Sequence, residues 1–252
     1  MRSFLSQVYQ PFARDTAFSP LHPVLRDFLI ASLVCAAFVA TMGLRLSSET
    51  GALVATLLFT VGAGVAGVVM LRTYPHRSLG LCNVITVFRL ALTAVLASLL
   101  FSGAAVPEPV LWAAFAMAAF ALILDGVDGA AARHARLTSG FGARFDMEVD
   151  TLFALVLALL AWKTGQAGLW VLALGLPRYL FVMAGTIWPR LTGDLPERMS
   201  RKVVCVIQVG TLVALLIPVL PLWLKTGAAG IAALALAWSF MQDIRHLLSR
   251  PE

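Results

Sequence analysis

The chain alternates between long apolar runs and short polar segments. An α-helix needs roughly 20 mostly apolar residues to cross the hydrocarbon core of a bilayer, and most of the runs approach that length. Backbone N–H and C=O groups inside a bilayer must be satisfied within the spanning segment, which favours helices. The pattern predicts an all-α, polytopic membrane protein with eight transmembrane helices. The eight runs are Phe28–Leu44, Gly51–Leu71, Val84–Phe101, Val110–Ala130, Phe145–Trp162, Leu169–Trp188, Val203–Leu222 and Ala228–Met241.

Composition supports the same class. The 252 residues are 60% hydrophobic and 13% charged, whereas soluble domains carry roughly 45–50% apolar and about 25% charged residues. This composition excludes an ordinary soluble enzyme, a disordered chain and a secreted disulfide scaffold. The three cysteines are far apart and show no metal-ligand spacing.

The basic residues are distributed unequally between the two sides of the predicted bundle. With the N-terminus in the cytoplasm, fourteen of the 19 Lys and Arg residues fall on the inner side and three in outer loops. Cytoplasmic loops of membrane proteins carry such an excess, so both termini are expected in the cytoplasm. No basic run is interleaved with aromatic residues, so no nucleic-acid partner is expected.

Acidic residues are scarce but clustered. Five of the thirteen lie between Asp125 and Asp150. Asp125 and Asp128 end one predicted span at spacing i, i+3, and Asp146 and Asp150 begin the next at i, i+4, so each pair shares a helix face. The connecting loop is short, and we expect the two helices to be antiparallel neighbours whose carboxylates converge. Such carboxylates repel unless a cation neutralises them, and oxygen ligands suit Mg²⁺, Mn²⁺ or Ca²⁺ rather than zinc.

Small and basic residues border the acidic cluster. Gly129 and Gly142 would let a ligand or a neighbouring backbone approach closely, and Arg133 lies where it would reach a phosphate. Carboxylates, glycines and an arginine together at a membrane surface suggest a pyrophosphate-containing substrate.

The same stretch resembles the signature of the CDP-alcohol phosphotransferase (CDP-alcohol phosphatidyltransferase) family. All eight fixed positions match with the spacing of the family: Asp125, Asp128, Gly129, Ala132, Arg133, Gly142, Asp146 and Asp150. Upstream, Asn83, Thr86 and Arg89 resemble the N-x-x-T-x-x-R pattern that opens the first core span. The resemblance covers about residues 78–245 and implies a six-helix core. We therefore expect residues 1–77 to form an N-terminal cytoplasmic segment with two additional transmembrane helices, and residues 78–252 to form the catalytic core.

The resemblance implies an integral-membrane transferase of phospholipid biosynthesis. Such an enzyme moves a phospho-substituted group from a CDP-linked donor, here CDP-diacylglycerol, to a small alcohol and releases CMP. Asp125, Asp128 and Asp146 would hold two Mg²⁺ or Mn²⁺ ions, with Asp150 also near the metal and acting as general base. Gly129, Ala132, Arg133 and Gly142, with Asn83 and Thr86, would bind the CDP moiety. A homodimer in the bacterial cytoplasmic membrane is implied, in contact with membrane lipids and with its active site facing the cytoplasm.

Three alternatives stay open on the sequence. Within the family, a soluble CDP-alcohol would donate its head group to a lipid alcohol. A divalent-cation transporter is disfavoured because the acids lie at helix ends and no repeat is visible, and an inactive homologue is disfavoured because clustered carboxylates at a membrane are costly without a function.

Several charged residues lie outside the acidic motif, and the sequence leaves the acceptor alcohol open. Glu148 is expected to pair with Arg144 or a partner helix rather than bind metal, because it points away from Asp146 and Asp150. Arg89 and Arg178 lie inside predicted spans and should face a cavity or a partner. A further basic set either holds a phosphorylated acceptor or only follows the positive-inside rule. That set is Arg136, Arg144, Arg190, Arg198, Arg201 and Lys202.

Overall fold

The computed structural model describes residues 23–103, 105–135, 139–188 and 198–248, without the side chains of residues 127–135 and 248. Within these ranges the chain forms nine α-helices and no strands. The helices are α1 Pro23–Leu46, α2 Glu49–Thr73, α3 Gly80–Ser98, α4 Glu108–Ala135, α5 Gly140–Lys163, α6 Leu172–Gly175, α7 Pro177–Ile187, α8 Met199–Leu215 and α9 Leu222–Leu248. Short 3₁₀ turns follow α3 at Leu99–Phe101 and precede α6 at Leu169–Val171. The predicted cytoplasmic segment before Pro23 lies outside the described residues.

The polytopic all-α architecture is confirmed, but the described helices do not all qualify as spans. Five of them, α1 to α4 and α9, are long and apolar enough to cross a membrane. The pair α6 and α7 makes a sixth only if it counts as one span bent by 66°. α8 has 17 residues, and the first half of α5 carries Asp146, Glu148 and Asp150. Each of the eight predicted runs coincides with a described helix or with the bent pair, and the number of helices that cross the membrane stays a prediction.

The break between α6 and α7 has a local cause. Pro177 lies in the first turn of α7, where its missing N–H costs nothing, whereas it would interrupt the hydrogen bonds of one continuous helix. The run Leu169–Trp188 is apolar except for a few residues such as Arg178, and its hydrophobicity did not indicate this bend.

α3 lies at the centre of the bundle. About 78% of its apolar stretch is buried, compared with 22–33% for the other four single spans. It packs against α1, α2, α4 and α5, whereas the described residues of α4 and α5 make little direct contact with each other. The expectation that α4 and α5 are neighbours is confirmed where Asp125 meets Asp146 and Asp150, whereas along most of their described length α3 packs against both helices. Ala91, Ala94 and Ala97 on α3 are buried, and their small side chains let several helices approach it.

α3 and α5 run in the same direction. Near their N-termini Asn83 faces Gly142. At their other ends the Lys163 ammonium donates to the carbonyl oxygens of Leu99 at 3.0 Å, Leu100 at 2.7 Å and Ser102 at 2.6 Å. These bonds satisfy carbonyls that the end of a helix leaves without a partner. The two helices are thus held at both ends in one register.

Two hydrophobic clusters fill the bundle. One joins α1 and α2 to α3 and the start of α5, with Phe28, Phe59, Val87 and Phe145 among its members. The other joins α3 and α4 to the rest of α5 and to α6, α8 and α9. The two N-terminal helices therefore pack directly on the part that we expect to be catalytic, and the division at residue 77 stays a prediction.

The outward faces of the helices are apolar. Leu33, Val61, Ile187 and Leu234 each expose more than 60% of their surface. A soluble protein rarely shows so much exposed apolar surface, whereas a bilayer covers it. The chain is an integral membrane protein.

Gly175 permits the close crossing of α6 over α5. A Cβ atom at Gly175 would lie 2.9 Å from Ala158 Cβ and 2.9 Å from Leu155 Cα. Because Leu155 Cα is backbone, the two helices would have to separate.

We expect Gly175→Ala to destabilise the protein by about 1–3 kcal/mol, the usual cost of overpacking a core. Thermal unfolding in detergent should show a lower midpoint than that of the wild type. The control is Gly210→Ala on α8, where the added methyl group meets no atom within 4 Å and should not destabilise. Equal midpoints for the two variants would contradict the close crossing.

Candidate active site

Three carboxylates converge at one end of the bundle. Asp125 comes from the C-terminal half of α4, and Asp146 and Asp150 come from successive turns of α5. One oxygen atom from each lies within 4.8 Å of the other two. The side chains are 34%, 34% and 31% exposed, so the cluster is open on one side. The predicted convergence of the acids is confirmed for these three residues, hereafter called the Asp triad.

Arg89 lies beneath the triad. Its side chain on α3 is only 3% exposed, and its Nη1 atom lies 2.9 Å from Asp125 Oδ1 and 2.5 Å from Asp146 Oδ1. Its Nη2 atom contacts Asp150 Oδ1. A charge inside a bundle is costly unless it is paired, and here one guanidinium serves three carboxylates. The expectation that Arg89 faces a partner is confirmed, although no sequence signal identified that partner as the triad itself.

The remaining residues of the acidic motif are placed only in part. The backbone of α4 continues through Asp128, Gly129, Ala132 and Arg133. The side chains of these residues lie outside the described part of the chain, and their roles stay predictions.

Gly142, Asn83 and Thr86 lie on the buried side of the site. Ser139 caps α5 by accepting a 3.0 Å hydrogen bond from Gly142 N, and a Cβ at Gly142 would lie 3.2 Å from Asn83 Oδ1. Asn83 donates to Leu79 O at 2.6 Å and to the Tyr74 hydroxyl at 3.1 Å. Thr86 donates to Cys82 O at 3.0 Å. Gly142 thus permits a close approach of α5 to α3, and cytidine binding by Asn83 and Thr86 stays a prediction.

Tyr74 completes this hydrogen-bonded group. Its hydroxyl oxygen lies 2.9 Å from Ser78 O and 2.8 Å from Leu79 O, so its single proton is shared between these two carbonyl oxygens. Burial raises the pKa of the Tyr74 phenol. The turn between α2 and α3 is thereby tied to Asn83.

Glu148 points away from the triad. Its Oε1 atom accepts from Arg178 Nη2 on α7 at 2.8 Å. The prediction that Glu148 pairs with a partner helix is confirmed, and so is the prediction that Arg178 faces a partner. This ion pair ties α7 to the outer face of α5.

A cavity of about 440 Å³ opens beside Asp150. α5, α7, α8 and α9 form its walls, and Phe181, Val204, Leu236 and Phe240 make much of the lining apolar. The polar residues in its wall are Asp150, Thr151, Arg178, Arg201, Lys202, Gln208, Ser239 and Asp243. An occupant of this cavity would lie next to the Asp150 carboxylate.

Sequence reasoning missed Asp243. It is only 8% exposed and accepts from Arg201 Nη2 at 3.0 Å, joining α9 to α8. Arg198 also donates to Gln242 at 3.3 Å. The sequence did contain a signal that could have identified Asp243, because it is an acidic residue in the last apolar helix. Ionisable residues in such segments usually face a cavity or a partner. Arg136 and Arg190, two of the predicted basic residues, lie outside the described part.

The triad has the donor chemistry of a hard-cation site. All its ligand atoms are carboxylate oxygens, which Mg²⁺ and Mn²⁺ prefer. The oxygens are close enough to share one ion, and the exposed side leaves room for water or a phosphate. The residues present fit a divalent cation.

Comparison with known proteins identified one family. The family model described as CDP-alcohol phosphatidyltransferase matches residues 79–241. This region begins just before α3 and leaves α1 and α2 outside. No curated protein and no solved structure matches the chain.

Asp146 belongs to the candidate metal site, whereas Glu148, two residues away, points towards Arg178 instead. We expect Asp146→Asn to weaken Mn²⁺ binding by at least about tenfold. Removing even a residue that only hydrogen-bonds to a metal ligand typically lowers metal affinity by about that factor, and loss of a ligand should cost more. Glu148→Gln, two residues away on the same helix, should bind Mn²⁺ as the wild type does. Titration of purified protein, followed by the electron paramagnetic resonance signal of free Mn²⁺, measures both. An equal loss in the two variants would contradict the assignment.

Proposed function

The chain belongs to the CDP-alcohol phosphatidyltransferase family, and from that premise we propose that it transfers the phosphatidyl group of CDP-diacylglycerol to a small alcohol, with release of CMP. Membership implies the coarser activity, transfer of a phosphoryl-alcohol group from a CDP-alcohol. The observation that carries the proposal is the position of Asp150, which belongs to the Asp triad and also lines the adjacent cavity. A donor held at the triad and an acceptor in the cavity would meet at this carboxylate.

In this proposal Asp125, Asp128 and Asp146 hold two Mg²⁺ or Mn²⁺ ions, with Asp150 beside them. Such ions, when bound, neutralise a pyrophosphate and the departing CMP. Gly129, Ala132, Arg133 and Gly142, with Asn83 and Thr86, bind the CDP moiety. These assignments follow the family motif, and the convergence of the described carboxylates supports them.

Asp150 acts as general base. An alcohol is a weak nucleophile until its proton is accepted. As the acceptor oxygen forms its bond to the phosphorus of the diacylglycerol phosphate, the bond from that phosphorus to the CMP oxygen breaks. The hydroxyl proton passes to the Asp150 carboxylate. Its side chain is 31% exposed and faces the cavity, which supports this role.

The cavity is proposed as the acceptor site. Its two arginines are each paired with a carboxylate, Arg178 with Glu148 and Arg201 with Asp243. Lys202 also lies in its wall. The apolar part of the lining keeps the alternative of a lipid alcohol acceptor open to test.

The decisive experiment measures CMP release by the purified protein. CDP-diacylglycerol in detergent micelles, Mg²⁺ or Mn²⁺ and a panel of acceptors should release CMP, and EDTA should abolish it. The panel includes free and phosphorylated small alcohols, and a separate arm supplies diacylglycerol with soluble CDP-alcohols. Turnover only in that arm would establish the alternative transferase, and no CMP release in either arm would contradict the proposal.

The same assay distinguishes the base from the metal ligands. We expect Asp150→Asn to lower the rate by roughly 10²–10⁴-fold, as removal of a general base does. Donor binding, titrated with CDP-diacylglycerol at fixed Mn²⁺, should fall less than in Asp125→Asn. If both variants lose donor binding equally, Asp150 is another ligand rather than the base.

We further propose that both termini and the active site face the cytoplasm of a bacterial cell, and that two copies associate as a homodimer. The unequal distribution of Lys and Arg supports this orientation.

Two glycines at opposite ends of the bundle suit a labelling experiment. Gly140 lies near the triad end of α5, and Gly103 follows the opposite end of α3. A Cβ atom at either position meets no atom within 4 Å.

Single cysteines at these glycines test the orientation in a background that lacks Cys35, Cys82 and Cys205. In intact cells, an impermeant thiol reagent should label Gly103→Cys and spare Gly140→Cys. Permeabilisation should make both reactive. The reverse pattern would place the triad outside the cell and contradict the use of a cytosolic CDP-linked donor.

A further inference from the structure

We propose that Arg89 is the internal counter-ion of the triad: it holds the carboxylates of α4 and α5 together before metal binds, and it weakens metal binding by competing for the same oxygens. This inference rests on the metal-dependent site proposed above. It assigns to a buried residue of α3 a role that the metal-ligand motif does not contain.

The contacts of Arg89 carry the inference. Its two terminal nitrogen atoms contact the Oδ1 atom of each of the three aspartates. These contacts come from α3, which lies between two helices that make little direct contact with each other. Arg89 is therefore a polar link between α4 and α5 within the described part of the chain. A planar guanidinium suits this role because its N–H donors diverge at fixed angles.

The charge of Arg89 remains near any cation bound at the triad. The residue is 2% exposed, and it emerges from a helix that is packed on several sides. Leu90 and Val87 beside it are also buried. The side chain thus has little room to withdraw, and a cation entering from the exposed side meets a positive charge beneath the carboxylates.

Removing the charge should have opposite effects on the two states of the site. Without metal, three neighbouring carboxylates would face one another with no counter-ion, and their repulsion would destabilise the fold. With metal bound, that repulsion is relieved and the competing charge is gone. A variant with a neutral residue at position 89 should therefore bind metal more tightly than the wild type does, and its stability should depend on bound metal. A merely structural arginine would lower stability equally in both states.

The test compares Arg89→Gln, Arg89→Lys and wild type, using Mn²⁺ alone as the probe. Arg89→Gln is purified with Mn²⁺, which is then removed by dialysis before titration by electron paramagnetic resonance. We expect it to bind Mn²⁺ at least about tenfold more tightly than wild type, given the loss of a like charge at close range. Its thermal midpoint should fall sharply in EDTA and recover with saturating Mn²⁺.

The conservative variant and a matched control complete the experiment. Arg89→Lys keeps the charge but cannot form the planar fork, so it should melt below wild type in EDTA while its Mn²⁺ affinity stays close to that of wild type. Arg178→Gln removes a guanidinium whose carboxylate partner, Glu148, lies outside the triad, and it should change Mn²⁺ affinity little.

Several results would overturn the inference. Equal or weaker Mn²⁺ binding by Arg89→Gln would show that Arg89 does not compete with metal. Equal loss of stability with and without Mn²⁺ would assign it a structural role. If Arg89→Gln fails to fold even with Mn²⁺, an Arg89→Lys variant that melts like wild type in EDTA would also contradict the proposal. Absence of Mn²⁺ binding by wild type would instead overturn the proposed metal-dependent function itself.

Discussion

The ion pairs between Arg89 and the Asp triad are the constraint on which the rest of the structure depends. They bring together α4 and α5, which otherwise make little direct contact among the described residues. They also place a full positive charge deep in an apolar bundle, which is stable only because carboxylates surround it. Arg89 lies on the most buried helix, so the position of α3 determines where the carboxylates meet.

The packing around α3 explains how this arrangement is held. The register of α5 on α3 is set by the contact of Gly142 with Asn83 at one end and by the Lys163 ammonium on carbonyl oxygens at the other. α1 and α2 lie outside the region matched by the family, yet they share a hydrophobic cluster with α3 and the first turns of α5. These two helices therefore support the helix that carries Arg89.

The candidate site has two sides. On one side the triad presents oxygen ligands to solvent, and on the other a cavity extends from Asp150 towards α8 and α9. The ion pairs Arg178–Glu148 and Arg201–Asp243 join the helices that form the walls of the cavity. These pairs make the cavity less basic than its arginines suggest. A count of basic residues does not reveal these pairings.

The sequence by itself determined the helical membrane architecture and the acidic motif. Run length and composition reflect the requirements of a bilayer, and i, i+4 spacing places Asp146 and Asp150 on one face whatever the neighbours are. The partners of those residues depended on tertiary structure. Adjacency along the chain suggested that α4 and α5 are neighbours, but among the described residues each of them packs more extensively against α3 than against the other. The pairing of Arg89 with three carboxylates, of Glu148 with Arg178 and of Arg201 with Asp243 joins residues at least 30 positions apart. Periodicity indicates which residues share a face of a helix, but not which neighbouring helix that face contacts. The packing of the whole bundle determines those contacts.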